Sequence, residues 1–258
     1  MRITLTTLLV GATLAGCGAP QTPSMSDTKI VGGTLASAAD AVTKSTVALV
    51  GADGEFFCSG SLVTSIHVVT AAHCLKDFPV GEKLTVVFGI TAKNGQVPLS
   101  KKREAKKFIV HAGYDEVAMD EEEASRPPND IAFITLKSAA PSGYTPVSVL
   151  TTRTALIAGE TLTLAGFGLT SPFWGDSALL RKVDVKMINE KKTAHEIEFG
   201  ESPGRSACMG DSGGPAFVRR NGKLVLVGVT SRGSGYCDDT GLYTDIRYQY
   251  DWMVAATR

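Results

Sequence analysis

The chain has no surplus of charge of either sign: Lys and Arg number 26, and so do Asp and Glu. That balance excludes a broad basic footprint, and no nucleic-acid partner is expected. Long apolar runs are missing too. The apolar, threonine-containing stretch Ile3 to Leu14 is too short to span a bilayer. No internal repeat and no long linker divides the 258 residues, so the length fits one large domain or two small ones packed closely. Helical periodicity is almost absent. Only Arg247 to Thr257 shows it, with Tyr250, Met253 and Val254 on one face. Histidine and cysteine are scarce, at four and five residues, so each can be weighed singly.

What stands at the N-terminus is not fold. Arg2 is a positive n-region, Ile3 to Leu14 an h-region, and Leu14-Ala15-Gly16-Cys17 closes it with small residues before a cysteine. This stretch resembles a bacterial lipoprotein signal. The resemblance implies a signal peptide over 1–16, a lipid on Cys17, and export. Gly18 stands where an aspartate would direct inner-membrane retention, which implies the outer membrane or cell surface. Residues 17–29 are rich in Pro, Ser and Thr and read as a tether. With Cys17 set aside, Cys58, Cys74, Cys208 and Cys237 remain in an oxidising compartment. Two disulfides are expected, and three connectivities are open.

From Ser45 onward, short and often β-branched apolar runs are broken by Gly, Pro, Asn and Asp. Examples are Val47–Val50, Ser61–Ser65, Val68–Ala71, Leu84–Ile90, Phe108–Val110, Ile131–Leu136, Thr161–Ala165, Val183–Met187, Leu224–Val229 and Gly241–Ile246. This spacing predicts an all-β chain of barrels or sandwiches. Pro141, Gly143 and Pro146 cluster near 140–153, which marks a divide between two units.

Gly210-Asp211-Ser212-Gly213-Gly214-Pro215 is neither helix interior nor regular strand. Its glycines permit a sharp bend that leaves the Ser212 hydroxyl clear, with backbone N–H groups converging beside it. Acyl transfer needs that combination of nucleophile and oxyanion donors. Read alone, the stretch is equally a glycine-rich turn, so partners must come from elsewhere. His73 follows an apolar run and two alanines and precedes Cys74, which leaves room around its ring. His67, His111 and His195 lack such a setting and read as structural. Asp130 precedes the run Ile131–Leu136 and follows Pro127-Pro128, which suits a carboxylate at a barrel mouth.

Taken together, Ile30-Val31-Gly32-Gly33, Thr70-Ala71-Ala72-His73-Cys74, Asp130-Ile131-Ala132-Phe133-Ile134, Gly210 to Pro215 and Ser231-Arg232-Gly233-Ser234-Gly235 resemble the chymotrypsin/trypsin family of serine endopeptidases. The likeness runs from Ile30 to the C-terminus. It implies two packed six-stranded antiparallel β-barrels with a C-terminal α-helix, over 30–258. Ser212 is then the nucleophile, His73 the general base and acid, and Asp130 the orienting carboxylate. The N–H groups of Gly210 and Ser212 form the oxyanion hole, and Ser231 hydrogen-bonds Asp130. The likeness also implies disulfides Cys58–Cys74 and Cys208–Cys237. The loop disulfide that many members carry before the nucleophile is absent, which bears on Asn189 to Arg205. No cofactor and no metal is expected, and the segment Lys83 to Arg103 has no carboxylate to build a calcium loop.

In this family a cut before Ile30, after Lys29, frees an ammonium that pairs with Asp211 and orders the site. The uncut chain is expected to be locally misfolded, and the cut is expected to release the enzyme from its Cys17 lipid. The primary pocket is implied to be formed by Ser206, Ala207, Met209, Ser231, Arg232, Gly233 and Gly241. Ser206 stands where trypsin-like members carry aspartate, so cleavage after large apolar or aromatic residues is expected. A separate trypsin-like protease is then needed to cut after Lys29. Arg232 replaces a usual tryptophan and turns an apolar shelf into a cation, favouring acidic or aromatic residues upstream. Asp238 and Asp239 lie near the pocket's rear. The partners expected are protein or peptide substrates, the activating protease and a membrane, with the enzyme itself a monomer. A non-catalytic binding protein on the same fold is the alternative; such proteins usually lose a triad residue or oxyanion glycine. Lys101 to Lys107 and Asp120 to Glu123 read as solvated charge, and Phe173-Trp174 as packing or a substrate-facing loop.

Overall fold

The structure is a computed structural model. It describes residues 33–120, 126–151, 154–170, 177–191, 194–200, 206–234, 236–237 and 240–258. Cys17, Lys29 and Ile30 lie outside the described residues, as do 121–123, Phe173, Trp174, Arg205, Gly235, Asp238 and Asp239.

The chain enters on β1 (Thr34–Leu35). A closed barrel follows from β2 (Thr46–Val50), β3 (Phe56–Leu62), β4 (His67–Thr70), β5 (Thr85–Phe88), β6 (Lys102–Val110) and β7 (Ala132–Leu136), in the spatial order β2-β3-β4-β7-β6-β5. A short α1 (Glu116–Asp120) sits in the β6–β7 connection. Then β8 (Ser148–Val149) leads to β9 (Thr161–Gly166), β10 (Arg181–Lys191), β11 (Glu196–Gly200), β12 (Pro215–Arg220), β13 (Lys223–Gly233) and β14 (Thr240–Asp245). Those last six close a second antiparallel ring, β9-β10-β11-β14-β13-β12 and back to β9. β1 adds to the outside of β10, and β8 pairs in parallel with β13. The chain ends in α2 (Ile246–Ala256), whose first turn is capped by the Asp245 side chain accepting from Arg247 N–H.

The strands read as continuous apolar runs because many are covered on both faces. In β2, Val47 and Leu49 join the interior of the first barrel with Val68, Val86, Phe88 and Ile134. Their neighbours Ala48 and Val50 face the opposite way, into a core shared with Phe167, Leu180, Phe217 and Val229 of the second barrel. The second barrel has its own interior of Leu162, Leu164, Val183, Val185, Ile197, Phe199 and Tyr243. The molecule therefore has an interior in each barrel and a third core between them. α2 adds Ile246 and Met253 to that shared core.

Sequence periodicity missed β11 and β12. β11 carries Glu196 and Glu198, and β12 opens on Pro215 and ends on Arg219-Arg220. β6 extends N-terminally through Lys102 to Lys107, with Lys102 to Glu104 paired to β5 and Lys107 paired to β7. No helix among the described residues is long and apolar enough to cross a membrane.

The disulfides join Cys58 to Cys74 and Cys208 to Cys237, closing separations of 16 and 29 residues. The first ties β3 to the turn after β4. Replacing Cys58 and Cys74 together by alanine is expected to lower stability by about 3 kcal/mol on the chain-entropy account of such a loop. The urea midpoint checks this, and an unchanged midpoint contradicts it.

Candidate active site

The register of one strand pair assembles the first half of the site. β4 and β7 run antiparallel with Thr70 opposite Ala132. The residues just past Thr70 and just before Ala132 therefore meet at the same barrel end. Those are His73 and Asp130. The His73 ring Nδ1 lies 2.8 Å from Asp130 Oδ2, and the His73 backbone N–H donates to Asp130 Oδ1 at 2.9 Å. Asp130 is fully buried. A carboxylate only accepts, so Nδ1 carries the ring proton and Nε2 presents its lone pair.

The second barrel completes the cage around Asp130. The Ser231 hydroxyl donates to Oδ2 at 2.7 Å, and Thr244 Oγ1 donates to the Asp130 carbonyl at 2.9 Å. Ser231 reaches this position through a bulge. The β13–β14 register slips between Thr230 and Arg232, so Ser231 is the extra residue and its side chain is re-aimed.

The Ser212 loop is clamped onto the His73 segment. Ser59 N–H donates to the Ser212 carbonyl at 2.8 Å, and Ser59 Oγ donates to the Gly210 carbonyl at 3.0 Å. Ser59 is next to Cys58, whose disulfide holds Cys74 beside His73. Gly213 has φ +76°, and a Cβ there would overlap Thr70 Oγ1 and press on the Ala71 N–H. Only glycine fits that contact. Gly210 has φ +92°. Among the described residues, neither Gly210 N–H nor Ser212 N–H has an acceptor within the protein. The loop thus offers two amide donors beside the Ser212 hydroxyl.

Asp211 turns inward. Its carboxylate is buried and accepts N–H from Gly168 and from Cys208, each at 2.9 Å. Burial pushes its carboxyl up to about 6; the two amides and the charge of Arg181 pull the other way without cancelling it. Asp211 is thus held in an ordered, doubly hydrogen-bonded place one residue before Ser212.

A cavity of about 150 Å³ opens beside Ser212, lined by Ala207, Cys208, Met209, Thr230, Ser231, Arg232, Gly233, Ser234 and Cys237. Five of the seven residues assigned to a pocket from sequence line it. Ser206 and Gly241 do not. The Ser206 hydroxyl is buried and donates to the Cys237 carbonyl, so it is spent in the wall. Gly241 is buried on β14 opposite Gly233. Met209 is half exposed at the rim.

Arg232 is not a free cation. Its guanidinium grips Glu196 of β11 with both terminal nitrogens, NH2 to Oε2 at 3.1 Å. Glu196 is 1% exposed, and burial pushes its carboxyl up. Sequence reasoning missed Glu196 because it sits in an unrecognised strand and meets Arg232 only through the fold. His67, His111 and His195 stand apart from the site, packed on Phe133, Trp252 and Tyr248. Cys58, Cys74 and His73 lie close enough together to suggest a metal trio, but both sulfurs are consumed in the disulfide.

Comparison with known proteins gives a family model described as Trypsin that matches residues 30–253. Tissue-type plasminogen activator of Homo sapiens is 29% identical over 230 residues, covering 77% of this chain and 39% of its own. Coagulation factor XII of Sus scrofa is 30% identical, covering 96% of this chain and 43% of its own. Trypsin alpha-4 of Lucilia cuprina is 31% identical, covering 79% and 78%. The chain thus spans about two fifths of the length of the first two relatives.

The Asp211 carboxyl yields a pH prediction. Raised from 3.8 to about 6, it keeps a proton in the folded state that the unfolded chain has released. Its stabilisation is complete below the unfolded value and is lost as pH rises through the folded one. The stability difference between the uncut protein and its Asp211→Asn variant should shift by about 2 kcal/mol between about pH 4 and pH 7, with the parent faring relatively better at the acid end. Urea titrations at both pH values measure this, and a flat difference contradicts it.

Proposed function

The chain belongs to the trypsin family of serine proteases, and on that premise we propose that it hydrolyses peptide bonds through an acyl-enzyme on Ser212. The Ser212 Oγ attacks the scissile carbonyl while His73 Nε2 takes its proton. Asp130 keeps the ring in the Nδ1–H tautomer and faces the imidazolium that forms. The carbonyl oxygen becomes an oxyanion held by the N–H groups of Gly210 and Ser212, an arrangement in which one donor is worth about 3–4 kcal/mol. Collapse expels the amine, which receives the proton from His73. Water then repeats the sequence against the acyl-serine, with His73 again base and then acid, and Ser212 is restored. The observation that carries this reading is the Asp130 carboxylate held by the ring and backbone of His73 and by Ser231.

The substrate side chain enters the cavity walled by Ala207, Gly233 and the Cys208–Cys237 disulfide. Small walls and the spent Ser206 hydroxyl favour a large apolar or aromatic residue before the scissile bond. Because Glu196 neutralises Arg232, the shelf offers a flat guanidinium face suited to aromatic groups more than a net attraction for acids. Peptides with Phe or Tyr before the bond should exceed Lys peptides in kcat/KM by about 100-fold, and Ser212→Ala should lose about 10⁴-fold or more of kcat. Equal turnover of Lys peptides contradicts the specificity, and retained activity in Ser212→Ala contradicts the mechanism.

Activation by a cut between Lys29 and Ile30 fits the chain path. β1 pairs Leu35 with Arg181, and β10 pairs Arg181 with Gly166, against which Asp211 packs. Leu35 and Gly166 are two strand spacings apart, about 10 Å. The five residues back to Ile30 reach up to about 17 Å when extended, enough for a new ammonium to meet Asp211. Two disulfides suit an oxidising compartment, in keeping with an exported, monomeric enzyme lipidated at Cys17 on the outer membrane or cell surface. Treating membranes that carry the full chain with a trypsin-like protease should release a soluble form beginning at Ile30, whereas the purified enzyme alone should leave Lys29 uncut. Retention of the cut form on salt-washed membranes contradicts the release, and rapid self-cutting contradicts the need for an outside activator.

A further inference from the structure

Arg181 is among the largest fully buried side chains of the protein, at 1% exposure. It heads β10, where Val183, Val185 and Met187 follow on the same inward face and fill the second barrel. An arginine thus occupies the position at the barrel mouth where the pattern calls for an apolar residue. Burying a guanidinium is costly without a counter-charge.

The register brings Arg181 level with one buried carboxylate. Arg181 lies directly opposite Gly166 on β9, as Val183 lies opposite Leu164 and Val185 opposite Leu162. Cross-strand partners project to the same side of a sheet, with Cβ positions about 5 Å apart. A Cβ on Gly166 would overlap Asp211 Oδ1. Arg181 therefore emerges on the face, and at the level, where the Asp211 carboxylate sits. Arg181 NH1 also donates to the Leu179 carbonyl at 3.2 Å, which turns the head group back along its own strand. Its attraction draws Asp211 towards the charged form, against burial.

We propose that Arg181 is a positioning residue that holds the Asp211 carboxylate charged and turned inward before any cut, so that the uncut chain already has a partly formed oxyanion hole and measurable activity. The inference rests on the serine-protease reading of Ser212. It makes the cut at Lys29 a matter of degree: the new ammonium and the standing guanidinium stabilise the same inward Asp211, and each is needed less when the other is present. An arginine restricted by its backbone bond and by the strand register cannot form the close ion pair available to a mobile terminus, so the cut still raises activity.

The test compares full-length protein locked uncut by Lys29→Gln with trypsin-cut protein, reading the rate of fluorophosphonate attachment to Ser212. The locked chain should label well above a locked Ser212→Ala control. Arg181→Met should slow the locked chain by about tenfold or more while slowing the cut form much less, and Arg181→Lys should restore the locked rate. Cut-form labelling serves as the folding control for each variant. A locked chain that labels no faster than the Ser212→Ala control overturns the proposal, even if no Arg181 variant folds. So does an Arg181→Met effect of equal size in both forms. Absence of labelling in the cut parent would instead overturn the catalytic reading on which the proposal stands.

Discussion

A carboxylate removed from water at the seam of two barrels must be held by donors, and the structure is organised around how Asp130 is held. Its two oxygens take the ring and backbone N–H of His73 from one barrel and the Ser231 hydroxyl from the other. Its carbonyl takes the Thr244 hydroxyl. Losing one of these would leave a buried charge short of a partner, which is why such networks are unforgiving. The same bonds fix the imidazole tautomer, set β7 against β13 and β14, and so align the two barrels across the cleft. The bulge at Ser231 is the local irregularity that makes this possible.

A second buried carboxylate, Asp211, sits one residue before Ser212 and points away from it. The two acids divide the work by environment. Asp130 is surrounded by donors that face a histidine. Asp211 is met by two amides and a more distant guanidinium, and burial leaves it near the point of protonation. A group so poised responds to whichever cation comes near, which is the physical basis for the coupling proposed between the nucleophile loop and an ammonium freed at Ile30. The glycines of the loop matter for the same reason: Gly213 lets it lie against Thr70, and Gly166 leaves room for Asp211.

Much of this was legible in the sequence because small residues announce close contacts. The alanines before His73, the glycines around Ser212 and the strand after Asp130 each carry a local signal, and the barrels follow from regularly spaced apolar runs. What was not legible depends on pairs distant in the chain. Arg232 reads as an open cation on the substrate shelf until β11 and β13 are placed on either side of β14 and Glu196 is found beside it. Ser206 reads as a pocket floor until its hydroxyl is seen bonded to Cys237. Arg181 did leave a trace, since it stands in step with Val183, Val185 and Met187, but periodicity alone gives no reason to bury a cation. That reason appears only when Gly166 is found opposite.

The central claim is a covalent intermediate on Ser212, and rapid mixing of the Ile30-started enzyme with a nitrophenyl ester tests it most directly. The account predicts a burst of about one nitrophenolate per enzyme with a matching acyl mass on the Ser212 peptide. Steady release without a burst, and no acyl mass on that peptide when deacylation is slowed by acid quench, would contradict it.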